Sequence, residues 1–191
     1  MMLVHETQAL FRKLVHGFSY AGETVILPNV AETVGLDERL YLTAATLLDQ
    51  EVSFATLGFD SLQGQRLAQE FRSRQVPTSR ADFVFLKLPA ADSADELSRL
   101  KVGDLVDPQK SATIIAVYDE PTADDEARRF LLQGPGIPAV LEKAFSVAVA
   151  ELLAIRNELN KEYPLGIDVI LINEKQRAVC IPRTTVIKEV D

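Results

Sequence analysis

Two short segments near the end of the chain carry groups suited to a negatively charged ligand. In one of them, Arg183 can grip two phosphate oxygens, and the hydroxyl groups of Thr184 and Thr185 follow directly as further donors. In the other, Gly134 and Gly136 flank a proline, and a backbone of this kind can aim successive N–H groups at an anion. These are the donors that a phosphonate or a triphosphate requires.

Both segments also have a structural interpretation. Glycines around a proline are more typical of a chain reversal after a strand, which is the interpretation we favour for Gly134 and Gly136. Along a strand, Arg183 and Thr185 would share one face and Thr184 would lie on the other. A solvated strand edge or a subunit contact would therefore explain these three residues as well.

Asp168 is a further candidate for the site, at the start of an otherwise apolar strand. A carboxylate there must be paired or must face a cleft, because an unpaired buried charge is costly. We favour a structural pair with an arginine such as Arg183.

Motifs of the common catalytic and metal-binding classes are missing from the sequence. It has no Gly-x-Ser-x-Gly elbow, no phosphate loop of the Gly-Lys-Ser kind and no His-Glu-x-x-His. His5 and His16 would lie roughly 16 Å apart along one helix, so they cannot bind one metal ion. Cys180 lies mid-strand with no histidine nearby, and the acidic run 119–126 is more typical of a solvated loop than of a magnesium site. We therefore predict no catalytic residue and no bound metal.

Composition indicates one domain, residues 1–191, because 191 residues with 47% apolar content suffice for a single core. One cysteine rules out an intramolecular disulfide, and the sequence has neither a secretory signal nor a membrane-spanning segment, so we expect a cytoplasmic protein. The net charge of -8 argues against binding to nucleic acid. A small anion remains compatible with it, since such a site needs only a few donors.

Apolar periodicity predicts the elements that must position these residues. In the first half we expect a helix around Leu14, a strand over residues 23–27, a helix capped by Asp37, a strand over 52–56, a helix over 62–74 and a strand over 82–86. In the second half we expect strands over 111–118 and 127–132 that form an antiparallel hairpin, a helix containing residues 148–159, and a final hairpin of strands 167–172 and 177–181 that Pro182 ends. The fold class is therefore α/β, a single layered domain with a mixed β-sheet flanked by helices.

Three strings in the last third resemble one protein family in their order and spacing. They are Leu132-Gln-Gly-Pro-Gly-Ile137, Pro164-Leu-Gly-Ile-Asp-Val-Ile-Leu171 and Ala178-Val-Cys-Ile-Pro-Arg-Thr-Thr185. Together they resemble the PhnH family, subunits of the bacterial carbon-phosphorus lyase system that handles alkylphosphonates. Segments 11–19, 47–54 and 103–113 extend the resemblance over nearly the whole chain, with a departure at Ala21, where the family usually has proline.

This resemblance implies a fold related to the large domain of pyridoxal-phosphate-dependent transferases, with the cofactor site lost. We accordingly expect no cofactor, although Lys87 at a strand end is placed where a Schiff-base lysine would be. The resemblance also implies a homodimer when isolated, and PhnG, PhnI, PhnJ and PhnL as partners. With PhnG and PhnL, the family supports PhnI in displacing adenine from ATP by methylphosphonate, which gives ribose 1-methylphosphonate 5-triphosphate. PhnJ later breaks the carbon-phosphorus bond.

An accessory subunit without catalytic residues of its own is thus our leading hypothesis, with ATP or phosphonate bound near the complex interface. Two alternatives stay open. An autonomous phosphoryl-ligand-binding protein would bring Gly134, Gly136, Asp168 and residues 183–185 together in one concave site. A purely structural dimerising scaffold would show a large apolar interface and no affinity for a ligand.

Overall fold

Strands that are apolar on both faces form the centre of the protein. The computed structural model describes residues 2–29, 37–90, 93–120 and 126–190. Its elements, in chain order, are α1 (Met2–Ser19), β1 (Thr24–Ile26), α2 (Glu38–Leu47), β2 (Ser53–Leu57), α3 (Ser61–Phe71), β3 (Arg74–Gln75), β4 (Phe83–Lys87), α4 (Ser93–Leu97), β5 (Thr113–Tyr118), β6 (Ala127–Gln133), β7 (Leu141–Ser146), α5 (Val147–Leu159), β8 (Asp168–Asn173), β9 (Arg177–Ile181) and β10 (Val186–Val190).

The main sheet has seven strands in the order β1-β9-β8-β5-β4-β2-β3. Strands β3, β2, β4, β5 and β8 run parallel, whereas β9 is antiparallel to β8 and β1 is antiparallel to β9. The predicted mixed sheet is therefore confirmed.

Buried clusters cover both faces of this sheet, because successive side chains of a strand point to opposite sides. Phe85 and Ile115 belong to a cluster that includes apolar residues of α1 and α2. Leu86 and Ile114, one position away, belong to a second cluster with residues of α5 and of the smaller sheet. Helices therefore flank the sheet, as predicted.

Several local predictions are confirmed as well. The carboxylate of Asp37 accepts a hydrogen bond from the backbone N–H of Arg39 and caps α2. Strands β8 and β9 pair as an antiparallel hairpin, and β9 ends at Ile181, directly before Pro182. The third helix ends earlier than predicted, because Arg72 adopts a left-handed conformation that stops it at Phe71.

The predicted hairpin of β5 and β6 is wrong. Strand β5 pairs in parallel with β4 on one side and with β8 on the other, so neither edge is free for β6. Strand β6 instead forms a second sheet in the order β10-β6-β7. The burial of the two strands explains the difference: β5 is buried on both faces, whereas β6 exposes Arg128 and Arg129 and needs only one covered face. Residues 121–125 of the acidic run lie outside the described residues.

Among the helices of the described ranges, none combines the length and the apolar character that a bilayer crossing needs.

Candidate functional site

The start of β8 and the turn after β9 meet through an ion pair between Asp168 and Arg183. Nη2 of Arg183 donates to Oδ2 of Asp168 at 2.6 Å, and the backbone N–H of Arg183 donates to Oδ1 at 2.6 Å. Nη1 of Arg183 donates to the backbone carbonyl of Pro108. The pairing favoured from the sequence is confirmed, and it uses most of the donors with which Arg183 could hold a ligand.

Residues 182–185 form a turn rather than a strand, since the backbone N–H of Thr185 donates to the carbonyl of Pro182 at 3.0 Å. The alternation that Arg183, Thr184 and Thr185 would show along a strand therefore does not occur, in agreement with the expected end of the strand at Pro182. Thr185 is buried, and its hydroxyl has no hydrogen-bond partner in the part of the chain that the structure describes. We refer to this segment as the 182–185 turn.

Arg156 of α5 holds the 182–185 turn from the other side. Its Nη2 donates to the carbonyls of Pro182 at 2.6 Å and Thr185 at 2.9 Å, and its Nη1 donates to Oδ1 of Asn157 at 3.0 Å. The side chain is 1% exposed, and its Nε has no partner among the described residues. Burial lowers the pKa of Arg156 to about 10, against the attraction of Asp168, so the guanidinium stays charged at neutral pH.

Sequence reasoning missed Arg156, although a signal for it exists. Val149, Leu152 and Leu153 are buried on one face of α5, and Arg156 continues this spacing of three to four residues onto the same face. An arginine on the apolar stripe of a helix indicates either a structural clamp or a site for an anion.

A cavity of about 350 Å³ lies between α5 and β10, and we call it the α5–β10 cavity. Its charged and hydroxyl-bearing lining residues are Arg156, Tyr163, Arg183, Thr184, Thr185 and Lys188. No carboxylate appears among the residues that the structure shows lining it. The C-terminal string singled out from the sequence thus lies beside a concave, cationic space.

Gly134 and Gly136 each allow a close backbone contact, at different places in the fold. A Cβ on Gly134 would lie 3.0 Å from the carbonyl oxygen of Thr184, so this glycine lets β6 approach the 182–185 turn. Gly136 has φ +81°, and a Cβ there would lie 2.2 Å from the carbonyl oxygen of Ser19, at the end of α1. The backbone N–H of Ile137 donates to the carbonyl of Gly134, which confirms the chain reversal.

The structure therefore brings the predicted site residues together only in part. The 182–185 turn contains Arg183, Thr184 and Thr185, and both Gly134 and Asp168 lie against its backbone. Gly136 instead packs against the end of α1. Asp168 lines a different cavity of about 470 Å³, which is bordered by Phe11, Val15, Phe18 and Ile170. Whether any of these residues contacts a ligand stays a prediction.

That second cavity opens beside exposed apolar residues of α1. Val4, Phe11 and Val15 are 67%, 54% and 50% exposed. Their spacing of seven and four residues places them on one face of the helix. Phe11 and Val15 line the cavity as well.

The remaining reactive residues have ordinary surroundings. Burial raises the pKa of the Cys180 thiol to about 12, so this cysteine is a protonated core residue. His16 lies 3.3 Å from a carboxylate oxygen of Glu23, and Lys87 is exposed at the end of β4. Within the described ranges, no three His, Cys, Asp or Glu side chains gather as a metal site would require.

Comparison with known proteins identifies the family to which this chain belongs. The model of the family described as "Bacterial phosphonate metabolism protein (PhnH)" matches residues 2–188. A protein of Stutzerimonas stutzeri named as a C-P lyase subunit, HtxG, is 31% identical over 183 residues, which cover 93% of this chain and 84% of that protein. The chain belongs to the PhnH family of bacterial phosphonate metabolism proteins.

Proposed function

We propose that this chain is an accessory subunit of a carbon-phosphorus lyase system. Its role is to support the formation of ribose 1-methylphosphonate 5-triphosphate from ATP and methylphosphonate. The observation that carries the proposal is the family match over residues 2–188, which spans nearly the whole chain. The name of HtxG as a C-P lyase subunit supports the same assignment.

The chemistry of the described residues supports an accessory role over a self-sufficient enzyme. Asp168 and Arg183 neutralise each other, so neither is a free acid, base or cation. Cys180 is held in its protonated form, which is a poor nucleophile. Catalysis would then come from the partner subunits, with this chain supplying surface and ligand contacts.

The partners in this proposal are PhnG, PhnI, PhnJ and PhnL, with a homodimer formed in their absence. Support comes from the exposed apolar face of α1, formed by Val4, Phe11 and Val15, because water-exposed apolar residues that adjoin one another favour burial in a contact. The relationship of the fold to the large domain of pyridoxal-phosphate-dependent transferases is part of the same proposal. We propose that the cofactor itself is not bound.

The test is reconstitution with partner subunits from the same genome. The tagged chain is co-expressed with PhnG, PhnI, PhnJ and PhnL, and the purified subunits are then mixed with ATP and methylphosphonate while released adenine is measured. We expect the subunits to co-purify and adenine release to depend on this chain. Full adenine release without the chain, or no retention of any partner, would reject the proposal.

A pair of variants tests the contact surface. Phe11→Asp puts a charge on the apolar face of α1 and should weaken retention of a second copy or of the partner subunits. Val106→Asp is the matched control, because Val106 is 88% exposed and lies in the loop between α4 and β5, outside the apolar face of α1. Equal retention of both variants would remove α1 from the proposed interface.

A further inference from the structure

We propose that the α5–β10 cavity binds a tetrahedral oxyanion, the phosphonate or phosphate group of a small ligand. The choice of a phosphonate rests on the proposed function, whereas the preference for an anion comes from the cavity itself. This assigns the ligand contacts to Arg156, Thr184, Thr185 and Lys188 and leaves Arg183 as a residue that positions the turn.

Positive charge exceeds negative charge around the cavity. The whole chain has a net charge of -8, yet Arg156, Arg183 and Lys188 line this cavity and no acidic residue does so in the described chain. Asp168 pairs with Arg183 at 2.6 Å and also attracts Arg156 electrostatically, so one carboxylate faces two guanidinium groups. Neither Arg156 nor Lys188 forms an ion pair with a described carboxylate, so the cavity keeps an excess of positive charge.

Arg156 is a buried cation whose direct contacts in the described structure are all neutral. A buried charge is costly unless it is paired, and breaking a buried pair leaves a destabilising unpaired ion. Arg156 is 1% exposed, and its known partners are the neutral oxygens of Pro182, Thr185 and Asn157. Asp168 attracts Arg156 but is itself paired with Arg183, so a bound anion would supply the opposite charge that Arg156 lacks in direct contact.

Two buried donors of residues that line the cavity have no acceptor in the described structure. Buried polar atoms in folded proteins nearly always have a hydrogen-bond partner. Nε of Arg156 and the hydroxyl of Thr185 both lack one in the described structure, and both residues line the same cavity. An oxyanion has several acceptor oxygens, so one bound in this cationic space could accept hydrogen bonds from both unused donors.

The size and the opening of the cavity agree with a small phosphorylated ligand. Its volume of about 350 Å³ lies within the range of roughly 300–1,000 Å³ typical of small-molecule sites. Tyr163, which also lines the cavity, is 78% exposed, and Lys188 is exposed on β10. An oxyanion near Arg156 and Thr185 would therefore leave room for an organic group that extends toward Tyr163.

The experiment uses the isolated full chain and two readouts. Calorimetry and thermal unfolding at low ionic strength are measured with methylphosphonate, inorganic phosphate, ATP and, for comparison, chloride at the same ionic strength. We expect saturable binding of methylphosphonate or phosphate, with a rise in the unfolding temperature because a ligand that binds only the native state stabilises it. Equal, weak effects of all four anions, chloride included, would mean general ionic screening and would overturn the proposal.

Thr185→Val separates a ligand role from a structural role. The substitution keeps the shape of the side chain and removes a buried hydroxyl that has no partner, so the ligand-free protein should be as stable as the wild type or more stable. Binding should nevertheless weaken roughly tenfold, the loss expected for one hydrogen bond to a charged group. Unchanged affinity would contradict the proposal.

Lys188→Gln should weaken binding through its charge, and Lys161→Gln is the matched control. Lys161 is exposed, makes an ion pair with Glu158, and is absent from the residues lining the cavity. Equal losses in the two lysine variants would show that only net charge matters and would overturn the site. Failure here is distinguishable from failure of the proposed function, because a chain that binds no anion can still be required for adenine release.

Discussion

Replacing Asp168 by asparagine should destabilise the fold through the loss of one charge. The carboxylate accepts hydrogen bonds from Arg183 through the backbone N–H at 2.6 Å, Nη2 at 2.6 Å and Nε at 3.3 Å. Asparagine can keep the bond to the backbone N–H, but its amide NH₂ would then face Nη2, donor against donor. The guanidinium of Arg183 would remain beside Arg156 without its counter-ion.

The expected loss follows from how deeply the pair is buried. Removing one partner of a buried ion pair costs about 3–5 kcal/mol. Both side chains here are 18% exposed, so water screens the remaining charge in part and we expect about 3 kcal/mol, the lower end of that range. For a chain of this length, that corresponds to a fall in the unfolding temperature of roughly 6–12 °C.

Urea and thermal unfolding of Asp168→Asn measure this loss, and Glu189→Gln is the control. Glu189 pairs with Arg128 at 3.1 Å on the surface, where the two side chains are 48% and 42% exposed, so its loss should cost less than about 1 kcal/mol. A double-mutant cycle with Arg183→Met should show strong coupling to Asp168. If Asp168→Asn costs no more than Glu189→Gln, our reasoning about the buried pair is refuted.

Three further predictions concern other parts of the fold. Burial opposes the ionisation of Asp82, but hydrogen bonds from Lys101 and Ser53 hold its pKa below the ordinary value of 3.8. The contribution of the Asp82 carboxylate to folding stability is therefore complete above pH 3.8 and is lost as the pH falls through the lower folded-state pKa. Urea midpoints at about pH 6 and about pH 2.5 should therefore differ less for Asp82→Asn than for the wild type, and an equal difference would argue against this. The thiol of Cys180, with its pKa raised by burial to about 12, should react with a disulfide reagent at about pH 8 only after unfolding, and prompt labelling of the native protein would contradict its burial. In Gly17→Ala the new Cβ would lie 2.8 Å from Sγ of Cys180, so overpacking should cost about 1–3 kcal/mol, and Cys180→Ala should relieve that cost in the double variant.

Features set by neighbouring residues were predictable from the sequence. The cap of α2 by Asp37 depends on contacts within two or three residues, and the turn between β8 and β9 joins adjacent strands. The pair of Asp168 and Arg183 was predictable for another reason, because a carboxylate in an apolar strand demands a partner. The family resemblance likewise came from strings that can be read in order along the chain.

The strands that pair with β5 and with β6 could not be predicted from local sequence. Adjacent strands often form hairpins, and the sequence pattern of β5 indicates burial on both faces without naming the neighbours that bury it. Only the fold shows that β4 and β8 occupy both edges of β5 and that β6 finds β7 and β10 instead. Strand partners far apart in sequence are decided by the energy of the whole sheet, which periodicity does not report.

The candidate site divides in the same way. Residue types alone indicated that Arg183, Thr184 and Thr185 could bind an anion, since hydroxyl and guanidinium groups are hydrogen-bond donors in any environment. The fold turned Arg183 toward Asp168 and brought Arg156, 27 positions earlier in the chain, to the same turn. Which donor is already satisfied and which remains unused depends on contacts between distant segments, and those contacts exist only in the tertiary structure.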